Sequence, residues 1–154
     1  KVASSNPTAL HIQYVGILDK LCGTDRAASI WIQQLFELLL TWDHIVDRDE
    51  LDVDMAERVF ENVLLDWSMN PFWLSHSARL APVLSNCLAA WRDERTHSIK
   101  GWDAYTEVPC AVAFLLGGPI RVRQFSEQIR RLSDAMRAED NACDETLPKG
   151  QLWQ

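Results

Sequence analysis

Asp43 and Asp47 stand four residues apart at the end of Leu38-Leu39-Leu40-Thr41-Trp42-Asp43-His44-Ile45-Val46-Asp47, one helical turn from each other on a common face. Counting back three, four and seven residues from Asp43 gives Leu40, Leu39 and Phe36. The first carboxylate therefore continues a face that is apolar for two turns. It is disfavoured there by desolvation, by the like charge of Asp47 and by the negative end of the helix dipole. A divalent cation would relieve all three. Oxygen-only ligands from one helix suit Mg²⁺, which keeps several waters and completes its shell with substrate phosphates. The competing reading is a solvated helix end, with both aspartates neutralised by Arg48, His44 or an arginine of the last helix. An EF-hand fits poorly, since a loop starting at Asp47 would place Asp52 where glycine is needed and Arg58 where a bidentate glutamate is needed.

Further ligands are available at Asp49 and, if their helix is a neighbour, at Asp93 and Glu94, with His97 four residues beyond Asp93. Exposed pairing along a helix is the commoner explanation of that second spacing. Arg121, Arg123 and Arg130 are candidate anion contacts on a basic strip that also holds Arg131 and Arg137; with Glu127 and Asp134 interspersed, the strip also reads as a solvated helix face. Gly117-Gly118-Pro119 could precede an anion-binding helix start, or simply stop one helix and begin the next. Ser75-His76-Ser77 has no G-x-S-x-G around it and carries no hydrolase signal. Cys22, Cys87, Cys110 and Cys143 are too scattered for a zinc site and read as reduced thiols.

The elements that must position these groups follow from period and punctuation. A first helix from about Ala9 to Leu21 stops near Gly23, and Thr24 or Asp25 can cap the second. That second helix is apolar nearly all round, from Ala27 through Trp31, Leu35 and Leu38 to Val46, and should lie centrally. A third begins at Asp52 or Asp54, with Met55, Val59, Phe60, Val63 and Trp67 as its buried face. Asn70-Pro71 breaks it and opens a short turn or helix bearing Phe72 and Trp73; a long fourth helix follows from Ala78, with Pro82 in its first turn. Helices from about Trp102 to Leu116 and from Ile120 to Glu139 are separated by Gly117-Gly118-Pro119, with Pro109 kinking or restarting the former. Residues 141–154 read as a loose tail after a single domain over 1–140. The tryptophans fit core anchors better than a ligand cage, Trp31 and Trp42 being eleven apart and nearly eclipsed. No segment shows a strand period. The expected fold is an all-α, single-domain bundle of five to seven helices.

The stretch Leu40-Thr41-Trp42-Asp43-His44-Ile45-Val46-Asp47-Arg48-Asp49 resembles the first aspartate-rich motif of class I isoprenoid and terpenoid synthases, D-D-x-x-D at the end of an apolar helix, with His44 in place of the middle aspartate. That resemblance implies a terpenoid-synthase-like helical fold and Mg²⁺ ions on Asp43 and Asp47 that hold a diphosphate. A second set, Trp42-Asp43 with Asp47 and Asp49, Asn70-Pro71-Phe72-Trp73, Pro82-Val83-Leu84 with Trp91, and Leu115-Leu116-Gly117-Gly118, resembles a family of small all-α phage and prophage proteins of unassigned function. It implies a viral or metagenomic source and an all-α fold, and it supplies no catalytic residue.

The 154 residues carry a formal charge of -7, with 47% hydrophobic and 24% charged residues, enough apolar content for a core without disulfides or structural metal. The acidic balance argues against nucleic acid as the main partner. Nine of the acids fall between Asp43 and Asp66, against Arg48 and Arg58 alone. No run suits a membrane span or signal peptide, so a cytoplasmic protein is expected, or one of the host cytoplasm if phage-encoded. Two functions are therefore carried forward. One is a small all-α protein with a Mg²⁺- and diphosphate-binding acidic motif acting on a phosphorylated small molecule. The other is a non-enzymatic phage or host protein-interaction module with a solvated acidic face. Enzymatic activity and oligomeric state, a homodimer included, stay open.

Overall fold

The computed structural model describes residues 8–47, 52–97 and 103–145; for 46–47, 92–97 and 140–145 it describes the backbone only. Helix α1 (Ala9–Cys22) is capped by Thr8, whose side chain accepts from the His11 N–H. It ends at Gly23, where φ of 60° lets the N–H turn back to the carbonyls of Asp19 and Lys20. Asp25 then accepts from the Ala28 N–H at 2.9 Å and starts α2 (Arg26–Asp47). This helix is central, touching every other long element, and buries Ala28, Trp31, Ile32, Leu35, Phe36 and Leu39. Its polar interruptions are satisfied: Gln33 donates to Ser29 Oγ, which donates to Asp19, and Gln34 accepts from Trp67 Nε1.

Asp52, not Asp54, caps α3 (Val53–Glu61), accepting from the Met55 N–H. The chain continues without a break through a π-helical turn, Asn62–Asp66, into α4 (Trp67–Met69). The π turn corrects a drift. In a regular α-helix Trp67, eight residues after Val59, would stand about 80° round from it. The wider turn, closed by Trp67 N–H to the Asn62 carbonyl, absorbs about one residue and returns Trp67 to the face of Val59. The expected buried face loses one member as a result. Val59 and Trp67 are buried, whereas Phe60 points out and is 67% exposed.

Asn70 ends this segment and begins the next. Its side chain donates to the Ala27 carbonyl and accepts from the Trp73 N–H, both at 3.0 Å, and so pins the chain to the start of α2. The short helix and the long fourth helix expected from the sequence are in fact one, α5 (Pro71–His97). Pro71 takes the first turn, where its missing N–H costs nothing; Pro82 lies in the interior, tolerated between the buried anchors Leu80 and Cys87.

The last element, α6 (Ala104–Glu145), contains both remaining expected helices. Gly118, at φ 64° and ψ -159°, leaves helical geometry, while Pro109 is accommodated without a break. Ser133 Oγ donates to Asp103 Oδ2 at 2.5 Å although 30 residues separate them; a straight helix would hold them about 45 Å apart. The two arms of α6 therefore fold back on each other at Gly118. The backbone stays helical to Glu145, beyond the boundary at Asp140 expected for a loose tail; 146–154 lie outside the described residues.

The result is an all-α bundle. Trp31 sits among Trp67, Phe72 and Trp73, stacked on Trp73 at 5.4 Å, while Tyr14, Phe36 and Tyr105 form a second aromatic group. Trp42, expected to share the packing of Trp31, is 38% exposed. Among the described residues there is no strand, and no helix is long and apolar enough to cross a membrane.

Candidate functional site

Asp43 is half-buried in the last turns of α2, and the neighbouring Thr41 hydroxyl is tied to the Glu37 carbonyl at 2.9 Å. His44 is half-buried beside it, and its Nδ1 is enclosed with no hydrogen-bond partner among the described residues. Asp47 continues the helix, but its side chain lies outside the described residues, as does the whole of Asp49. Asp93 and Glu94 belong to the last turns of α5, their side chains likewise outside.

Phe72 and Trp73 start α5 against Trp31, so α5 runs parallel to α2. Farther along, Phe36 of α2 meets Tyr105, and Cys87 of α5 feels the charges of Glu107 and Asp103. Counted from the Trp31–Trp73 contact, Asp43 follows by 12 residues, about 18 Å along α2, and Asp93 by 20 residues, about 30 Å along α5. Among the described residues, no group of three or more His, Cys, Asp or Glu side chains is arranged to hold a metal ion.

The basic strip divides. Arg121 is half-buried and donates from Nη1 to the Leu21 carbonyl at 3.0 Å, capping α1. It lies flat over Gly117, where an added Cβ would come within 2.8 Å of its Nε. Arg137 reaches Asp103 at 3.4 Å and Arg131 pairs with Glu127 at 2.7 Å on the surface. Arg123 and Arg130 are exposed. Gly117-Gly118-Pro119 thus serves a reversal and a close approach.

Two features were not singled out from the sequence. Asp103 accepts from the Tyr105 N–H, the Thr106 hydroxyl and Ser133, joining the start of α6 to its returning arm. The D-x-x-T spacing of Asp103 and Thr106 is a capping signal that could have been read. The second is the outer face of 53–69, where Val53, Phe60, Leu64, Leu65 and Met69 are 55–74% exposed. The carboxylates of Asp54, Glu57, Glu61 and Asp66 are exposed along one edge of it, with Arg58 the only base of the segment. Trp67 Nε1 donates to Gln34, which in turn donates to Asp66, so the π turn behind this face is clamped to α2.

Cys22 and Cys87 are buried and Cys110 is half-buried, while the Cys143 side chain lies outside the described residues. Burial pushes Cys22 up to about 12 and Cys87 up to about 11, with nearby carboxylates adding to both, and burial likewise raises Cys110. Burial also raises the Tyr14 hydroxyl, which donates to the Tyr105 carbonyl at 2.5 Å. None of these groups is poised as a nucleophile.

Compared with known protein families, curated proteins and solved structures, the chain matches none.

Proposed function

We propose that the chain is a non-catalytic protein-interaction module whose contact face is the outer side of 53–69. One observation carries this reading: five large apolar side chains of a single segment are more than half exposed, on a helix whose opposite face is already packed. Single exposed apolar residues are ordinary, but a contiguous row edged by charge marks a docking surface. A photoreactive phenylalanine in place of Leu64 should give discrete protein adducts in extract of the source cells, and the same group in place of Arg123 should give none. Equal or absent labelling at the two positions would contradict the reading.

A second reading keeps the acidic end as a Mg²⁺ site on Asp43 and Asp47. What favours it is the Nδ1 of His44, enclosed beside Asp43 with no hydrogen-bond partner among the described residues. Such a site would hold a phosphorylated ligand through the metal. Calorimetric titration with Mg²⁺ or Mn²⁺, with and without pyrophosphate, should then give heat that Asp43→Asn and Asp47→Asn remove. Wild-type protein that gives no heat would end this reading.

A further inference from the structure

We infer that the partner of the 53–69 face is a basic amphipathic helix, an inference that rests on the interaction-module reading and names its partner. Three properties of the face select that chemistry. The first is shape. Seventeen helical residues make a straight ridge about 25 Å long. The backbone N–H and C=O groups inside that ridge are spent on its own helix, and no strand edge exists among the described residues, so an incoming chain cannot be held by main-chain pairing. Affinity must come from side chains laid along the ridge, as one helix packs on another.

The second property is the row itself. The π turn that returns Trp67 to the inner face also moves Leu65 and Met69 round toward the line of Phe60 and Leu64. The exposed apolar row therefore runs from Phe60 through Leu64 and Leu65 to Met69 instead of spiralling away, with Val53 two turns ahead of it beyond the exposed Glu57. A partner needs apolar residues at i, i+3, i+4 and i+7 to follow it.

The third property is charge. Asp54, Glu57, Glu61 and Asp66 line one edge against the single Arg58, on a chain of net charge -7. Lys or Arg beside the partner's apolar row meets that edge favourably, whereas a second copy would bring a second set of carboxylates to the same face. Charge complementarity thus selects a basic partner over self-association.

The test uses the full chain and two labelled 18-residue peptides, one with Leu at helical spacing and Lys elsewhere, the other with Glu replacing every Lys, followed by fluorescence anisotropy. The wild type should bind the Leu/Lys peptide at least tenfold more tightly than the Leu/Glu peptide. Glu57→Lys with Glu61→Lys should reverse that preference. Phe60→Ser with Leu64→Ser should weaken Leu/Lys binding at least tenfold with circular dichroism unchanged, which separates docking on the row from attraction to a negative surface. Equal affinity for the two peptides overturns the inference. So does Leu/Lys binding that survives the Phe60 and Leu64 changes, or a dimer in sedimentation equilibrium that those changes dissolve. Adducts at position 64 without peptide binding would remove the basic helix and leave the docking face; loss of both would remove the face as well.

Discussion

The two faces of 53–69 have similar apolar content and opposite fates. Val59 and Trp67 face α2 and are buried; Phe60, Leu64 and Met69, one or two positions away, stand in solvent. Hydrophobicity alone does not separate them. What separates them is the π turn, held by Trp67 N–H to the Asn62 carbonyl and by the Gln34 clamp, which fixes which residues return to α2. The inner face is bound to the stability of the bundle, whereas the outer face can change without cost to the fold.

The contrast can be broken most forcefully on the inner side. Trp31 is fully buried between Trp67 and Trp73, and Trp31→Ala should cost about 3–5 kcal/mol in denaturant unfolding. Gly117→Ala should cost about 1–3 kcal/mol, because the new methyl meets Arg121 and displaces the guanidinium from the end of α1. Gln34→Leu should cost about 1–2 kcal/mol by leaving the Trp67 indole N–H without its acceptor. On the outer side, Phe60→Ser and Met69→Ser should each stay within about 0.5 kcal/mol of wild type. A large loss there would mean that the outer row is part of the core.

The thiols sharpen the same division by pH. Cys22 and Cys87 have raised values in the folded chain, so above pH 9 the unfolded chain releases their protons first and binds fewer than the folded one. Stability therefore falls as pH rises from about 9 toward 11 for Cys87 and toward 12 for Cys22, and is insensitive to these groups below that window. Melting curves across pH 8–11 should show the decline, and Cys22→Ala should make it shallower. In the native protein at pH 8, both thiols should resist iodoacetamide.

Much of the fold was legible in the sequence. The Gly23 stop, a cap at Thr24 or Asp25, the centrality of α2 and the break at Gly117-Gly118-Pro119 rest on local chemistry that does not need tertiary context. The misassignments share a different cause. The sequence pattern puts Phe60 inside because a regular 3.6-residue period carries Val59, Val63 and Trp67 round toward it, and a π turn leaves no clear mark in composition. Pro82 was placed at a helix start because a proline resembles a boundary, but Asn70 had already supplied the cap. For Arg121, type and spacing suggest an anion contact and do not reveal that the carboxyl end of α1 lies against it. For the acidic motif, spacing placed Asp43 and Asp47 on one helix, and the parallel course of α2 and α5, set by Trp31, Phe72 and Trp73, was beyond the reach of spacing alone.

The central claim is that the outer row of 53–69 binds and does not fold. It is tested most directly by Leu/Lys peptide anisotropy on Phe60→Ser with Leu64→Ser, with the melting temperature taken on the same sample. The account predicts at least a tenfold loss of binding with a melting temperature within about 2 °C of wild type. Undiminished binding, or a melting temperature lowered by many degrees, would contradict it.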